Sequence, residues 1–436
     1  MSQYPTDDYT RAQRITIIVS CMLGFALDLY DVLLLPFLMP AIQRSLSMTL
    51  TEVASITSLT LIGSVIGGAL FGWIGDRMGR RTSLQLTLGL FAVGSILSAF
   101  STNYPTLAAL RFLTGIGLGG EWGAGMVLFN ETWNPRRRGL GSACIQGSAA
   151  LASAAASIVA VWALTTFDPE QGWRVGLLTG GAPLVLMIAI RLWMPESKAW
   201  LAFDERRRGT VPTAVVRNAG NPFVGMFRPG LRGVTITAMS WMMAYMFCYY
   251  GVTVFIPTLM LKTLQTPLDV VRDTSVAYAV VAGIAFLGMG WLNDRFGRRS
   301  GALLPSLMWM ASLVGLLVWG HARYDQSLLE WPIFWLYLLF GMGNASLGVA
   351  GTWLSELYPI EVRSTAVSTI YMAGRAVGSL APVAVPAAAT LLGGDLVSGM
   401  LICLPAAALF FVLSLLLPET RGRTTMPVQP PRTIAA

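Results

Sequence analysis

Long apolar runs alternate with short polar breaks along this chain. A helix needs about 20 mostly apolar residues to cross a bilayer core. Twelve runs of that order stand out, near 15–39, 52–74, 82–101, 105–129, 140–164, 174–194, 232–259, 274–293, 301–320, 331–354, 364–388 and 396–417. One connection is longer than the rest: residues 195–230 are polar and arginine-bearing, with Pro195, Pro212, Pro222 and Pro229. The pattern predicts an all-α membrane protein of twelve transmembrane helices. Six fall in a first bundle (1–194), six in a second (231–418), with a linker loop at 195–230 and a tail at 419–436.

Composition agrees. The chain is 54% hydrophobic and 12% charged, about half the charged fraction of a soluble domain, so the bilayer is its main partner. The net charge of +8 is no nucleic-acid signal, because the arginines sit in short loops between apolar runs. Their distribution predicts orientation. One set of loops holds Arg77, Arg80, Arg81, Arg136, Arg137, Arg138, Arg206, Arg207, Arg208, Arg295, Arg298 and Arg299, whereas the other holds only Arg44, Arg174, Lys262, Arg272 and Arg323. Both termini and the linker are therefore expected in the cytoplasm, with the chain in a plasma or bacterial inner membrane. The first apolar run contains two aspartates and continues like a span, so it is not read as a cleavable leader. Cys21, Cys144, Cys248 and Cys403 are isolated in apolar segments, without disulfide or metal spacing, and read as packing residues.

The breaks between runs repeat. Gly72-Trp-Ile-Gly-Asp76-Arg77-Met-Gly79-Arg80-Arg81 returns half a chain later as Gly290-Trp-Leu-Asn-Asp294-Arg295-Phe-Gly297-Arg298-Arg299. Glu131-Thr-Trp-Asn-Pro135-Arg-Arg-Arg138 after span 4 is matched by Glu356-Leu-Tyr-Pro359-Ile-Glu361-Val-Arg363 after span 10, and Pro195-Glu196-Ser197 by Pro418-Glu419-Thr420. Two homologous halves of this kind are found mostly in transporters. The three signatures in matching order resemble the major facilitator superfamily over nearly the whole chain. The resemblance implies two six-helix bundles around a central cavity, opened to each side in turn by rocking, and a monomeric carrier. It makes Asp76, Arg77, Arg80, Glu131, Asp294, Arg295, Arg298 and Glu356 gating residues. Asp76 and Asp294 are suited to accept from the N-terminal amides of a following helix and to pair with a nearby arginine.

Charges within spans are costly and mark function. Span 1 carries Asp28 and Asp31, three residues apart and about 4.5 Å along the helix axis on one face. Two carboxylates so close in a low dielectric do not both ionise freely, which suits proton binding. Glu121 in span 4 is either a second proton site or an arginine's partner. Arg111, in the same span, either pairs with a span 1 acid or draws an anion inward. Arg375 in span 11 is the one deep cation of the second half, and a guanidinium holds a carboxylate through two parallel hydrogen bonds. Arg191 ends span 6 and snorkels to the interface. Tyr249, Tyr250, Gln146, Asn344 and Tyr371 are candidate substrate contacts, since family precedent has spans 1, 4, 7 and 10 line the cavity. Pro257 and Pro267 are expected to shape the end of span 7. Gly115-Ile-Gly117-Leu-Gly119-Gly120 has the spacing of a nucleotide loop but lies inside an apolar helix, where small residues permit close packing instead.

Leu27-Asp28-Leu-Tyr30-Asp31 and Gly119-Gly120-Glu121-Trp122-Gly123 are similar to segments of proton-coupled symporters of sialic acid, monocarboxylates and aromatic acids. This implies proton-driven uptake of a small organic acid, with Asp28, Asp31 and Glu121 coupling protons, and Arg375 and Arg111 holding the anion. No nucleotide motif or catalytic constellation is present, and His321, the single histidine, reads as an outer-loop residue. Neither an enzyme nor a cofactor is expected. A proton-coupled exporter of drugs or metabolites, a neutral sugar uniporter and a transport-inactive sensor of the same fold are the alternatives. A carrier of cations would not need Arg375, a sugar uniporter would not need the span 1 acids, and a sensor would carry a long soluble domain.

Overall fold

The computed structural model describes residues 9–48, 50–134, 137–208, 221–256, 259–325, 327–393 and 395–421. Pro135, Arg136, Pro212, Pro257 and the tail beyond Arg421 lie outside the described residues, as does the Arg191 side chain. Twelve spans run through two bundles. Spans 1 to 4 are single helices, Arg11–Ser45, Leu50–Met78, Arg80–Ser98 and Tyr104–Thr132. Span 5 consists of Arg138–Gly147 and Ala149–Thr166, and span 6 of Pro169–Thr179 and Pro183–Trp193. Two short helices, Lys198–Arg207 and Pro222–Gly225, lie in the connection to the second bundle. Span 7 is Arg232–Thr253, followed by a π-helical turn at Leu259–Thr263; span 8 is Leu268–Phe296 and span 9 is Arg298–Trp319. Span 10 divides into Pro332–Asn344 and Leu347–Leu357, span 11 into Arg363–Gly378 and Ala381–Leu391, and span 12 into Leu396–Met400 and Cys403–Leu416.

Local sequence accounts for the boundaries. Thr10 and Gln13 form a reciprocal capping box at the start of span 1. Gly79 and Gly297 have φ of 102° and 106° and join spans 2 to 3 and 8 to 9, a conformation that favours glycine. Pro183 opens the second piece of span 6, where a missing N–H costs nothing. Pro267 stands at the N-cap of span 8 and so starts that helix, rather than closing span 7.

Eight of the spans contain a helix long and apolar enough to cross a membrane alone. No such helix is found in spans 3, 5, 7 and 11 among the described residues. Ser364, Thr365, Ser368, Tyr371 and Arg375 of span 11 are all buried. Val185, Leu151, Ile158 and Val318 stay exposed on the outer surface, as lipid-facing residues should. The glycines of span 4 are filled positions. A Cβ on Gly115 would meet the Thr60 backbone, one on Gly117 the Phe91 backbone, and one on Gly119 the Ser64 backbone. The stretch packs helices, as expected.

The bundles meet on the side that carries the repeated loops, called here the motif side. Span 2 approaches span 11 through Gly72 and Gly75, where an added Cβ would lie 3.1 Å from Ser368 and 2.7 Å from the Ser364 hydroxyl. Span 5 approaches span 8 in the matching way, with a Cβ on Gly139 2.6 Å from Asp294 and one on Gly290 2.9 Å from Leu140. Small residues let these backbones close to contact.

Candidate functional site

Midway through the bundles, span 1 and span 11 set opposite charges against each other. Asp28 and Arg375 face across the interface, with Oδ2 to NH1 at 3.7 Å, and both side chains are 1% exposed. The pair is loose: neither Asp28 oxygen and none of the three Arg375 nitrogens makes a hydrogen bond within the described residues. Glu121 lies nearby, against Gly24 of span 1, and its Oε2 is likewise buried without a partner. Buried charges in this condition are costly unless some other group completes them. Tyr371 is one turn from Arg375, with the guanidinium 6.0 Å from its ring centroid. Tyr249 and Tyr250 pack edge to face with centroids 5.1 Å apart, and both lie within electrostatic reach of the guanidinium.

The other predicted contacts divide. Asn344 accepts from the Tyr245 hydroxyl. Gln146 accepts from the Trp122 indole N–H at 2.8 Å and donates to the Leu347 carbonyl at 3.4 Å, so it holds Trp122 in place. For Arg111, pairing with a span 1 acid is one of the two sequence readings, and the acid is Asp31. Arg111 pairs with Asp31 at 2.9 Å. Its remaining nitrogens donate to Ser98 at 3.1 Å and Ser95 at 3.0 Å, and Ser95 donates to Asp31 at 2.7 Å. This closed network joins spans 1, 3 and 4 inside the first bundle. Arg111 and Asp31 are therefore ion-paired with each other inside the first bundle.

On the motif side the repeats build two matching networks. Asp76 accepts from the Ser364 amide at 3.2 Å, the Thr365 amide at 2.8 Å and the Thr365 hydroxyl at 2.7 Å. These donors sit at the N-terminus of span 11, so the carboxylate caps a helix of the opposite bundle rather than the one that follows it. Asp294 does the same to span 5, accepting from Gly139 at 2.7 Å and Leu140 at 2.9 Å. A helix N-terminus is a favourable place for an anion. Arg80 stands 3.2 Å from Asp76 and 3.1 Å from Glu131; Arg298 stands 3.2 Å from Asp294 and 2.8 Å from Glu356.

Four residues outside the predicted set complete these networks. Glu196 accepts from the backbone amides of Arg80 and Arg81 at 3.0 and 3.1 Å, and Glu419 from those of Arg298 and Arg299 at 2.9 and 3.0 Å. Burial holds the Glu196 carboxyl above its usual range. Burial also raises Glu419, but the backbone donors around it outweigh that effect and hold it below. Arg363 reaches across to Glu131 at 3.1 Å, and Arg138 to Glu356 at 4.0 Å. The recurring Pro-Glu-Ser/Thr signature pointed to the two glutamates. Arg77 and Arg295 are exposed, and their guanidinium groups lie over Trp73 at 4.8 Å and Trp291 at 5.5 Å.

Comparison with known proteins places this geometry. A probable 4-methylmuconolactone transporter of Cupriavidus pinatubonensis is 29% identical over 407 residues, covering 92% of this chain and 90% of that protein. A niacin transporter of Acinetobacter baylyi is 26% identical, covering 92% and 93%, and a sialic acid transporter of Escherichia coli is 24% identical, covering 84% of each. A solved proton:xylose symporter bound to 6-bromo-6-deoxy-D-glucose shares the fold, with a TM-score of 0.77 at 18% identity, covering 95% of this chain and 98% of that one. The model of the Major Facilitator Superfamily matches residues 21–269 and 242–433. That match takes in most of both bundles, and the chain belongs to the Major Facilitator Superfamily, a family of transporters rather than enzymes.

Proposed function

We propose that this transporter takes up a small organic acid together with protons, as a monomer in the plasma membrane with its motif side and both termini in the cytoplasm. The observation that carries the reading is the buried Arg375 guanidinium, which faces Asp28 and whose nitrogens have no hydrogen-bond partner among the described residues. A ligand carboxylate would complete it with two parallel hydrogen bonds. The relatives named as transporters of niacin and sialic acid carry solutes with such a group. Protonation of Asp28 from outside would release Arg375 to the incoming anion, with Glu121 as a second proton acceptor beside it. Once both charges are neutralised, the low-dielectric centre no longer resists closure. The gradient supplies the driving force, and no cofactor is involved.

Uptake into proteoliposomes under an imposed inward proton gradient tests this. Nicotinate, a hydroxybenzoate, a muconate, sialic acid and lactate are compared with a hexose and a lipophilic cation. One acid should accumulate only when the gradient is present. Accumulation of the hexose or the cation alone, or acid uptake indifferent to the gradient, would overturn the reading.

The two motif-side networks should hold that side shut unequally. Asp76 is 2% exposed and Asp294 13%; the cross-bundle pair of Glu131 is at 3.1 Å and that of Glu356 at 4.0 Å. The Trp200 indole also donates to the Asp76 carbonyl at 3.1 Å. Asp76→Asn is expected to lower uptake about tenfold or more, the equivalent of one charge-assisted hydrogen bond, and Asp294→Asn to lower it less. Initial rates at equal membrane content decide, and equal losses would refute the asymmetry.

A further inference from the structure

We infer that Trp122 and Tyr371 form an inner gate of the transport path, the layer that closes the central charges off from the motif side. The two residues come from opposite bundles, spans 4 and 11, and their rings stack with centroids 3.9 Å apart and planes 14° from parallel. Both are buried. The indole is fixed from behind. Its N–H donates to Gln146 of span 5 at 2.8 Å, and Gln146 in turn donates to the Leu347 carbonyl of span 10 at 3.4 Å. The support therefore crosses the interface as the stack itself does.

Position in the sequence sets the order of layers. Trp122 follows Glu121, and Tyr371 precedes Arg375 by one helical turn, about 6 Å along the axis. On the far side of the rings, span 4 and span 11 meet closely, with Gly123 against Ser368, while Gly351 of span 10 lies against Met126 of span 4. Beyond those, Asn130 donates to the Gly351 carbonyl at 3.3 Å and Arg363 reaches Glu131 at 3.1 Å. The stacked rings are the first layer between the charges and this packed zone. The bundles cannot part on the motif side without sliding one ring off the other. Each ring shares a helix with a charged group of the site, Trp122 with Glu121 and Tyr371 with Arg375, so a rearrangement of either charge reaches the stack directly. Gln146, read from sequence as a substrate contact, is a positioning residue for Trp122.

Thiol labelling without any solute tests the gate, so its outcome does not depend on which compound is carried. Ser368→Cys is introduced in a background where Cys21, Cys144, Cys248 and Cys403 are replaced. A membrane-impermeant reagent is added from the side opposite the loop motifs. Cys at 368 should label slowly with the stack intact and with Trp122→Phe, which preserves a ring. Trp122→Ala should label roughly tenfold faster, the upper range for loss of one aromatic pair. Tyr371→Ala breaks the same stack from the other bundle and is scored identically, so a failure of either variant to reach the membrane leaves the test in force. Labelling rates unchanged by both alanine variants would overturn the gate, as would a Trp122→Phe variant that labels as fast as Trp122→Ala.

Discussion

Arg375→Ala is expected to abolish solute uptake. The side chain is 1% exposed and stands 3.7 Å from Asp28, and its nitrogens have no hydrogen-bond partner among the described residues. Two effects add in the same direction. The carrier loses the fork that would hold a carboxylate, and Asp28 is left as a buried charge without its counterion. Truncating one member of such a pair costs about 2–5 kcal/mol, so affinity should fall by at least about thirtyfold. Arg375→Lys separates the two effects. It keeps the charge beside Asp28 and removes the planar pair of donors, so the protein should remain folded while uptake stays low. Uptake and equilibrium binding of the transported acid, measured at equal membrane content, check both variants. A lysine variant as active as the parent would show that only charge matters there, and an active alanine variant would remove Arg375 from the site altogether.

Asp28→Asn is expected to separate exchange from accumulation. Asparagine keeps the size of the protonated acid and cannot release a proton. The variant should still exchange external for internal solute at equal concentration, because exchange needs the site but no net proton movement. Under a proton gradient it should fill only to equilibrium, a complete loss of the concentrative component. Counterflow and gradient-driven uptake in the same vesicles give the comparison. Gradient-driven accumulation in Asp28→Asn would place the coupling acid elsewhere, with Glu121 next. Asp31→Asn serves as the control: it leaves Arg111 without its carboxylate in the interior of the first bundle, so its effect should be lost stability and not lost coupling.

The spans were legible because lipid leaves a chain little choice: a segment that cannot reach water must be apolar or folded inward. The loop repeats were legible for a related reason, since polar residues at a bilayer surface stand out against what flanks them. Roles were harder to read. Asp28 and Asp31 lie three residues apart, yet one faces Arg375 of the other bundle and the other Arg111 of its own. Spacing along a helix gives direction and not neighbours. Asp76 was suited to a helix N-terminus, and it caps one, but the helix begins 287 residues later, at Arg363. Trp122 stood in a segment similar to those of proton-coupled symporters; only the fold brings the Tyr371 ring against it. Arg138 and Arg363 stood in the paired loop signatures, but nothing local shows that each reaches across to the other bundle.

The reciprocal capping on the motif side has a consequence for how the molecule is held together. Asp76 of the first half caps a helix of the second, and Asp294 of the second half caps the matching helix of the first. Each half offers the same acid and the same receiving amides, which is the arrangement of an isologous dimer interface. In that sense the chain is a dimer whose subunits are tied by a linker. The deep buried charges of the two halves differ: Asp28, Asp31, Arg111 and Glu121 lie in the first and Arg375 in the second. A symmetric seam thus holds in register two halves whose centres are not alike.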